Sequence, residues 1–168
     1  MRKLLVLLMI PLMTLAIAAT AQGGGMRVLY HQYDFYVPEN PVLTAYLGSD
    51  SEILAVKYSE EQGKKYIAFN REIGFKTGGC PLATFFNQVL NDKDQGCGAG
   101  AIKSFQAVFV NDRESGQWSG DEHHFFYFLS PRLSTVFVIS DETGSELYKI
   151  ESDYLDKAGI KAIFSEYL

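Results

Sequence analysis

The stretch His123-His124-Phe125-Phe126-Tyr127-Phe128-Leu129, then Ser130-Pro131, then Thr135-Val136-Phe137-Val138-Ile139, decides the fold class. Aromatic and β-branched side chains dominate both runs, and such residues favour extended backbone on a packed, pleated surface. Ser130-Pro131 breaks the chain over a length that suits antiparallel pairing. The second run is the most β-branched of the chain and reads as a central strand. Asp141-Glu142-Thr143-Gly144 is a turn, and Glu146 to Ile150 reads as the return strand.

Working outward, Ser104 to Val110 alternates Phe105, Ala107 and Phe109 against Gln106, Val108 and Val110, which reads as another strand. Asn111 to Gly120 is polar and Gly-punctuated, reads as a loop, and holds the sole Trp. Upstream, Glu52–Tyr58 and Lys65–Arg71 form a hairpin around a polar turn containing Gly63. Val28 to Val37 reads as one extended strand, stopped by Pro38 and Pro41, with Tyr30, Tyr33 and Tyr36 exposed at a period of three. One strong helix follows Gly78-Gly79-Cys80. Pro81 fits its first position, and Leu82, Phe85, Phe86, Val89 and Leu90 form one apolar stripe. A last helix is expected after a Ser152 cap, with Leu155, Ile160, Ile163, Phe164 and Leu168 inward and Gly159 weakening it.

Strands, helix, strands, helix with short links predicts an α+β fold: an antiparallel sheet of about five to seven strands with two main helices packed on it. That order resembles the PsbP/Mog1-like exported domains, in topology alone. The resemblance implies helices against an antiparallel sheet and implies no function.

The chain has 168 residues, 47% hydrophobic, 14% aromatic and 21% charged, with a formal net charge of -5. These proportions exclude disordered, collagenous and low-complexity architectures. The acidic balance argues against nucleic acid as a partner. Residues 1–21 read as a signal peptide: Arg2 and Lys3, an apolar core from Leu4, and the small-x-small site Ala19-Thr20-Ala21. The apolar core is interrupted by Pro11 and Thr14, short of the roughly 20 residues a spanning helix needs. No cysteine near the cleavage point offers a lipid anchor, and no later run is long enough to span a bilayer. Removing 21 residues from 168 leaves 147, with 13 Lys+Arg against 20 Asp+Glu, a net of -7. Residues 22–27 read as a flexible N-terminus and 28–168 as one globular domain, located in the periplasm or secreted.

Export and an even cysteine count predict a disulfide between Cys80 and Cys97. The alternative gives catalytic roles to Cys80, at a helix start that lowers thiol pKa, with His123 or His124 as base. That chain order resembles the NlpC/P60-type cysteine peptidases. Pro81 directly after the cysteine, and a ready partner in Cys97, favour the disulfide. Asp121-Glu122-His123-His124 is chemically dense, but neighbouring histidines on a strand point to opposite faces, and no metal-ligand spacing occurs. Thr77-Gly78-Gly79-Cys80 lacks the Lys-Ser/Thr of a phosphate loop, and Gly96-Cys97-Gly98-Ala99-Gly100 is expected to precede a strand. No cofactor motif is present. The expected recognition element is the 111–120 loop, with Trp118, Arg113, Asp112 and Glu114 as binding residues.

The resulting expectation is an exported, non-enzymatic protein-binding domain of the bacterial envelope, an accessory factor or immunity-type inhibitor. Its partner would be another envelope or secreted protein, and a basic one would complement the acidic chain. The alternatives are a cysteine or metal-dependent cell-wall hydrolase using Cys80 and His123 or His124, and a small apolar-ligand carrier with an aromatic pocket between helix and sheet.

Overall fold

The computed structural model describes residues 25–48, 52–91, 96–140 and 144–168; the leader reading and the turn over residues 141–143 lie outside them. In chain order the elements are β1 (Met26–Tyr30), β2 (Tyr33–Val37), β3 (Leu43–Leu47), β4 (Ile53–Lys57), β5 (Tyr66–Arg71), α1 (Leu82–Asn91), α2 (Ala99–Phe109), β6 (Glu114–Ser119), β7 (His123–Leu129), β8 (Ser134–Ser140), β9 (Leu147–Ser152) and α3 (Lys157–Ala162). Seven strands form one antiparallel sheet in the order β3-β4-β5-β9-β8-β7-β6, and β1-β2 form a separate two-stranded hairpin. The fold is therefore α+β, as the aromatic and β-branched runs predict. β8 is an interior strand, buried along its whole length. The middle place in the sheet belongs to its neighbour β9.

Because side chains alternate across a strand, each face of the sheet carries its own core. On one face Val136, Val138, Tyr148, Ile150, Phe69 and Phe125 meet the inward side of the β1-β2 hairpin and the C-terminal Ile160, Ile163 and Phe164. On the other, Phe126, Phe128, Phe137, Ile139 and Leu147 meet α1 and α2 through Phe85, Phe86, Val89, Ile102 and Phe105. Phe86 sits at the centre of the second core, stacked on Phe126 at 4.9 Å and close to Phe137 at 5.0 Å and Phe105 at 5.4 Å. Burying one such ring contributes roughly 1.5–3 kcal/mol from area alone.

Four segments depart from the expected reading. Val28–Val37 is a hairpin turning at His31-Gln32, and its strand starts at Met26, inside the segment expected to be flexible. That turn reverses the alternation, so Tyr30 and Tyr33 both point inward and are 3% and 1% exposed. Of residues 104–110, expected as a strand, 104–109 belong to helix α2 and Val110 is its C-cap, the N-cap being Gly98 in the Gly-rich stretch. There Ile102, Phe105 and Phe109, spaced i, i+3, i+7, put one stripe on the sheet, and this packing outweighs the strand-like alternation. Most of the expected 111–120 loop is the edge strand β6, paired with β7 from Glu114↔Leu129 to Ser119↔His124. Finally, Asp156 rather than Ser152 caps α3, its side chain accepting from the Gly159 N–H at 2.7 Å. Ser152 instead closes β9, accepting from Leu155 N–H at 3.2 Å. Leu168, expected inward, is 42% exposed.

Candidate functional site

Cys80 and Cys97 stand at disulfide distance, with Cα atoms 5.1 Å apart, and tie the start of α1 to the approach to α2. Beside them Gly98 N–H donates to the Gly78 carbonyl at 3.1 Å, and a Cβ on Gly78 would lie 2.7 Å from Gly98 Cα. Only glycine permits that approach. The pairing engages the Cys80 thiol, so no free cysteine remains among the described residues. His123 turns toward Tyr33 at 5.4 Å and Tyr167 at 4.9 Å on the hairpin face. His124 projects to the opposite face, with Nδ1 3.2 Å from Gln117 Nε2. Among the described residues, no three His, Cys, Asp or Glu side chains are grouped to hold a metal ion.

The expected recognition residues are divided by the strand geometry of β6. Glu114, Gly116 and Trp118 share the hairpin face of the sheet. Trp118 is half-buried and stacks on Tyr127 at 4.6 Å, with Lys161 Nζ 5.7 Å from its ring. Tyr127 lies across Gly116, where a Cβ would come within 2.6 Å of the ring's Cζ; the bare glycine is what admits the ring. Glu114 pairs with Lys157 at 2.5 Å. Arg113 instead leans over Phe109 of α2, at 5.7 Å, and Asp112 occupies the exposed turn with φ of 59°. Trp118 thus packs partly against the sheet, and Asp112 and Glu114 line a common cleft of about 470 Å³ while Arg113 lies over α2.

Sequence reasoning missed a polar cluster at one end of the sheet. Arg71 bonds Glu146 at 2.8 Å and lies 3.7 Å from Glu52, which also meets His31 at 3.4 Å. Gln32 donates to Glu146 at 3.1 Å, and the Tyr148 hydroxyl reaches both Gln32 and Glu146 at 3.1 Å. The Gln32 bond, with further help from Tyr148 and Arg71, holds the Glu146 carboxyl below the usual carboxylate range despite some burial. Burial, reinforced by Glu146, pushes the Tyr148 phenol up to about 12. His31 and Glu52 both have positive φ, 52° and 35°, a conformation that side chains tolerate only when neighbours enforce it. These bonds run between the β1-β2 turn and the ends of β4, β5 and β9, so the cluster latches the hairpin onto the sheet.

The open surface lies elsewhere. Register places Ala45, Ala55 and Ala68 side by side across β3, β4 and β5, on the face that α1 and α2 cover at the other end of the sheet. One flanking row is Leu43, Lys57 and Tyr66; the other is Leu47, Ile53 and Asn70. None of these side chains belongs to either core. Three small residues between two taller rows make a shallow trough. Its inner border is Lys149, paired with Glu72 at 3.0 Å and Glu151 at 3.5 Å. Burial pulls the Lys149 pKa down, and the two carboxylates more than offset it. Its outer border is β3, whose Leu43, Tyr46 and Leu47, like Val42 just before it, are each more than half exposed. No charge lies between Pro41 and Gly48. Natural sheet edges are ordinarily blunted by charge, proline or a bulge, and contiguous exposed apolar residues mark interaction surfaces.

Further concave features lie away from the trough. A groove of about 560 Å³ lies over α2 between Phe75, Phe85, Phe105, Val108 and Phe109. A cleft of about 400 Å³ gathers Asp121, Glu122, His123 and Glu166. No helix among the described residues is long and apolar enough to cross a membrane. No protein-family model, curated protein or solved structure matches the chain.

Proposed function

We propose that the chain is an exported, non-enzymatic binding domain of the envelope, an accessory factor or immunity-type inhibitor, that docks another protein on the open half of its sheet. The observation that carries this reading is the alanine trough together with the uncharged β3 edge. A partner segment laid there meets exposed Leu43 and Leu47 and the Ala45-Ala55-Ala68 floor. The disulfide-distance cysteine pair is compatible with an oxidising compartment. Capture from envelope extract by the immobilised chain tests it, with Ala55→Arg filling the trough on a strand that otherwise keeps its pairing. Wild type is expected to retain specific proteins that Ala55→Arg loses while its melting temperature is unchanged. Equal recovery by both would remove the trough from the site, and a parallel Trp118→Ala arm reports whether the β6 edge contributes.

A second reading, a carrier of small apolar ligands, is favoured by the phenylalanine-lined groove over α2. Its size falls within the range of roughly 300–1,000 Å³ typical of ligand sites. Native mass spectrometry of the purified chain is expected to find a retained apolar molecule if this reading holds, and a mass equal to the polypeptide alone counts against it.

A further inference from the structure

We infer that the occupant of the β3 edge is a second copy of this chain, paired antiparallel about a two-fold axis through Ala45, and that the docking trough is complete only in that dimer. The inference rests on the open sheet face being the binding surface.

The side chains of β3 are self-complementary. Its residues are Leu43-Thr44-Ala45-Tyr46-Leu47. Reversed about Ala45, Leu43 of one copy faces Leu47 of the other, Thr44 faces Tyr46, and Ala45 faces itself. Leucines therefore meet leucines on the trough face, and Thr44 meets an aromatic on the other face; such cross-strand pairs are the unit of sheet stabilisation. Closed two-fold contacts are also the commonest form of homo-oligomer. Charge selects the same occupant. The segment from Pro41 to Gly48 has no charged residue, so a basic partner finds no complement there, whereas an identical copy meets no repulsion. The net charge of -7 on the chain without residues 1–21 (13 Lys+Arg against 20 Asp+Glu) repels at longer range, but that repulsion is screened beyond about 8 Å at physiological ionic strength. The other sheet edge, β6, is unsuited to the same pairing, because it carries Glu114 held by Lys157 at 2.5 Å.

Pairing at β3 also does something to the site. Ala68, Ala55 and Ala45 of one copy run straight into Ala45, Ala55 and Ala68 of the other. Two half-troughs become one groove across a continuous sheet, bordered at both ends by a Lys149 ion cluster. A lone chain offers half of that surface and an open end.

The test is sedimentation velocity of the full mature chain at physiological ionic strength, from low micromolar to millimolar concentration, for wild type, Ala45→Lys, Ala45→Glu and an equimolar mixture of the two variants. Wild type is expected to dimerise with rising concentration. Each variant alone should weaken dimerisation at least tenfold, since like charges then face each other on the axis, and the mixture should restore it. A wild type that stays monomeric overturns the inference, as does a dimer that both single variants leave intact. Hydrogen exchange on wild type alone is the second measurement and needs no variant to fold. Amides of Leu43–Leu47 should gain protection with concentration, and unchanged exchange there overturns the pairing. A monomeric wild type whose extract capture is still lost in Ala55→Arg would sink the dimer and leave the trough reading standing. Capture that is indifferent to Ala55→Arg would sink the trough itself.

Discussion

Opening the Cys80–Cys97 link should cost stability without dissolving the fold. The cysteines are 17 residues apart in sequence, and α1 lies inside the ring they close. Cross-linking a loop of about 18 residues removes on the order of 11 cal/mol/K from the unfolded chain, or about 3 kcal/mol at 25 °C, in the chain-entropy model. For a domain of this size each kcal/mol moves the melting temperature by about 2–4 °C, so a loss of roughly 6–12 °C is expected. The native fold should survive, because the same junction is also held by the Gly98-to-Gly78 backbone bond and by Phe85 and Phe86 in the core. The assay is thermal unfolding followed by circular dichroism, comparing wild type, wild type with reductant, and Cys80→Ser/Cys97→Ser. Reduced wild type and the double variant should coincide at the lower midpoint with unchanged far-ultraviolet spectra. A midpoint that ignores both perturbations would refute the reasoning, and so would a double variant that is unfolded at 25 °C.

Three further outcomes are expected. Phe86→Ala should lose about 3–5 kcal/mol in denaturant unfolding, the range for a buried ring that leaves a cavity, because Phe86 has no exposure and meets rings on both sheet and helices; a loss below 1 kcal/mol would mean the helix layer is not packed as described. Gly116→Val should cost at least about 1–3 kcal/mol by overpacking and shift Trp118 fluorescence, since Tyr127 must leave Gly116 and with it its stack on Trp118. Glu146 has a lowered pKa in the folded state, so its contribution is fully present above the unfolded value of 4.5 and is lost as pH falls through the lower folded value. Urea midpoints of wild type should therefore fall more steeply on acidification below that value than those of Glu146→Gln, and parallel curves would remove Glu146 from the latch.

The strands that face a core on both sides are legible in the sequence. β7 runs from His123 to Leu129, as its aromatic run predicts, and β8 exceeds its β-branched run by one residue at each end. α1 follows from Pro81 and a complete apolar stripe. α2 was not legible, because Gly98 and Gly100 depress helix propensity at its start, while Phe105, Ala107 and Phe109 also alternate as a strand would. β6 escaped because Glu114-Ser-Gly-Gln-Trp-Ser is polar with a glycine at its centre. Pairing with β7 makes it a strand, and Tyr127 of that strand covers Gly116 with the side chain the glycine lacks. β3 was barely legible: Leu43, Ala45 and Leu47 alternate with Thr44 and Tyr46, but over five residues only, directly after Pro41 and before Gly48. The trough and the latch have no sequence signature either. Ala45, Ala55 and Ala68 become neighbours only through strand register, and His31, Arg71 and Glu146 meet only when the hairpin folds over the sheet end.

The central claim is that this domain binds through the open half of its sheet. Hydrogen exchange of the wild-type chain, measured with and without the protein it captures, tests that claim most directly. Added protection should concentrate in Leu43–Leu47, Ile53–Lys57 and Tyr66–Arg71, with Glu114–Ser119 unchanged. Protection confined to Glu114–Ser119 around Trp118, with β3 to β5 unaltered, would contradict it.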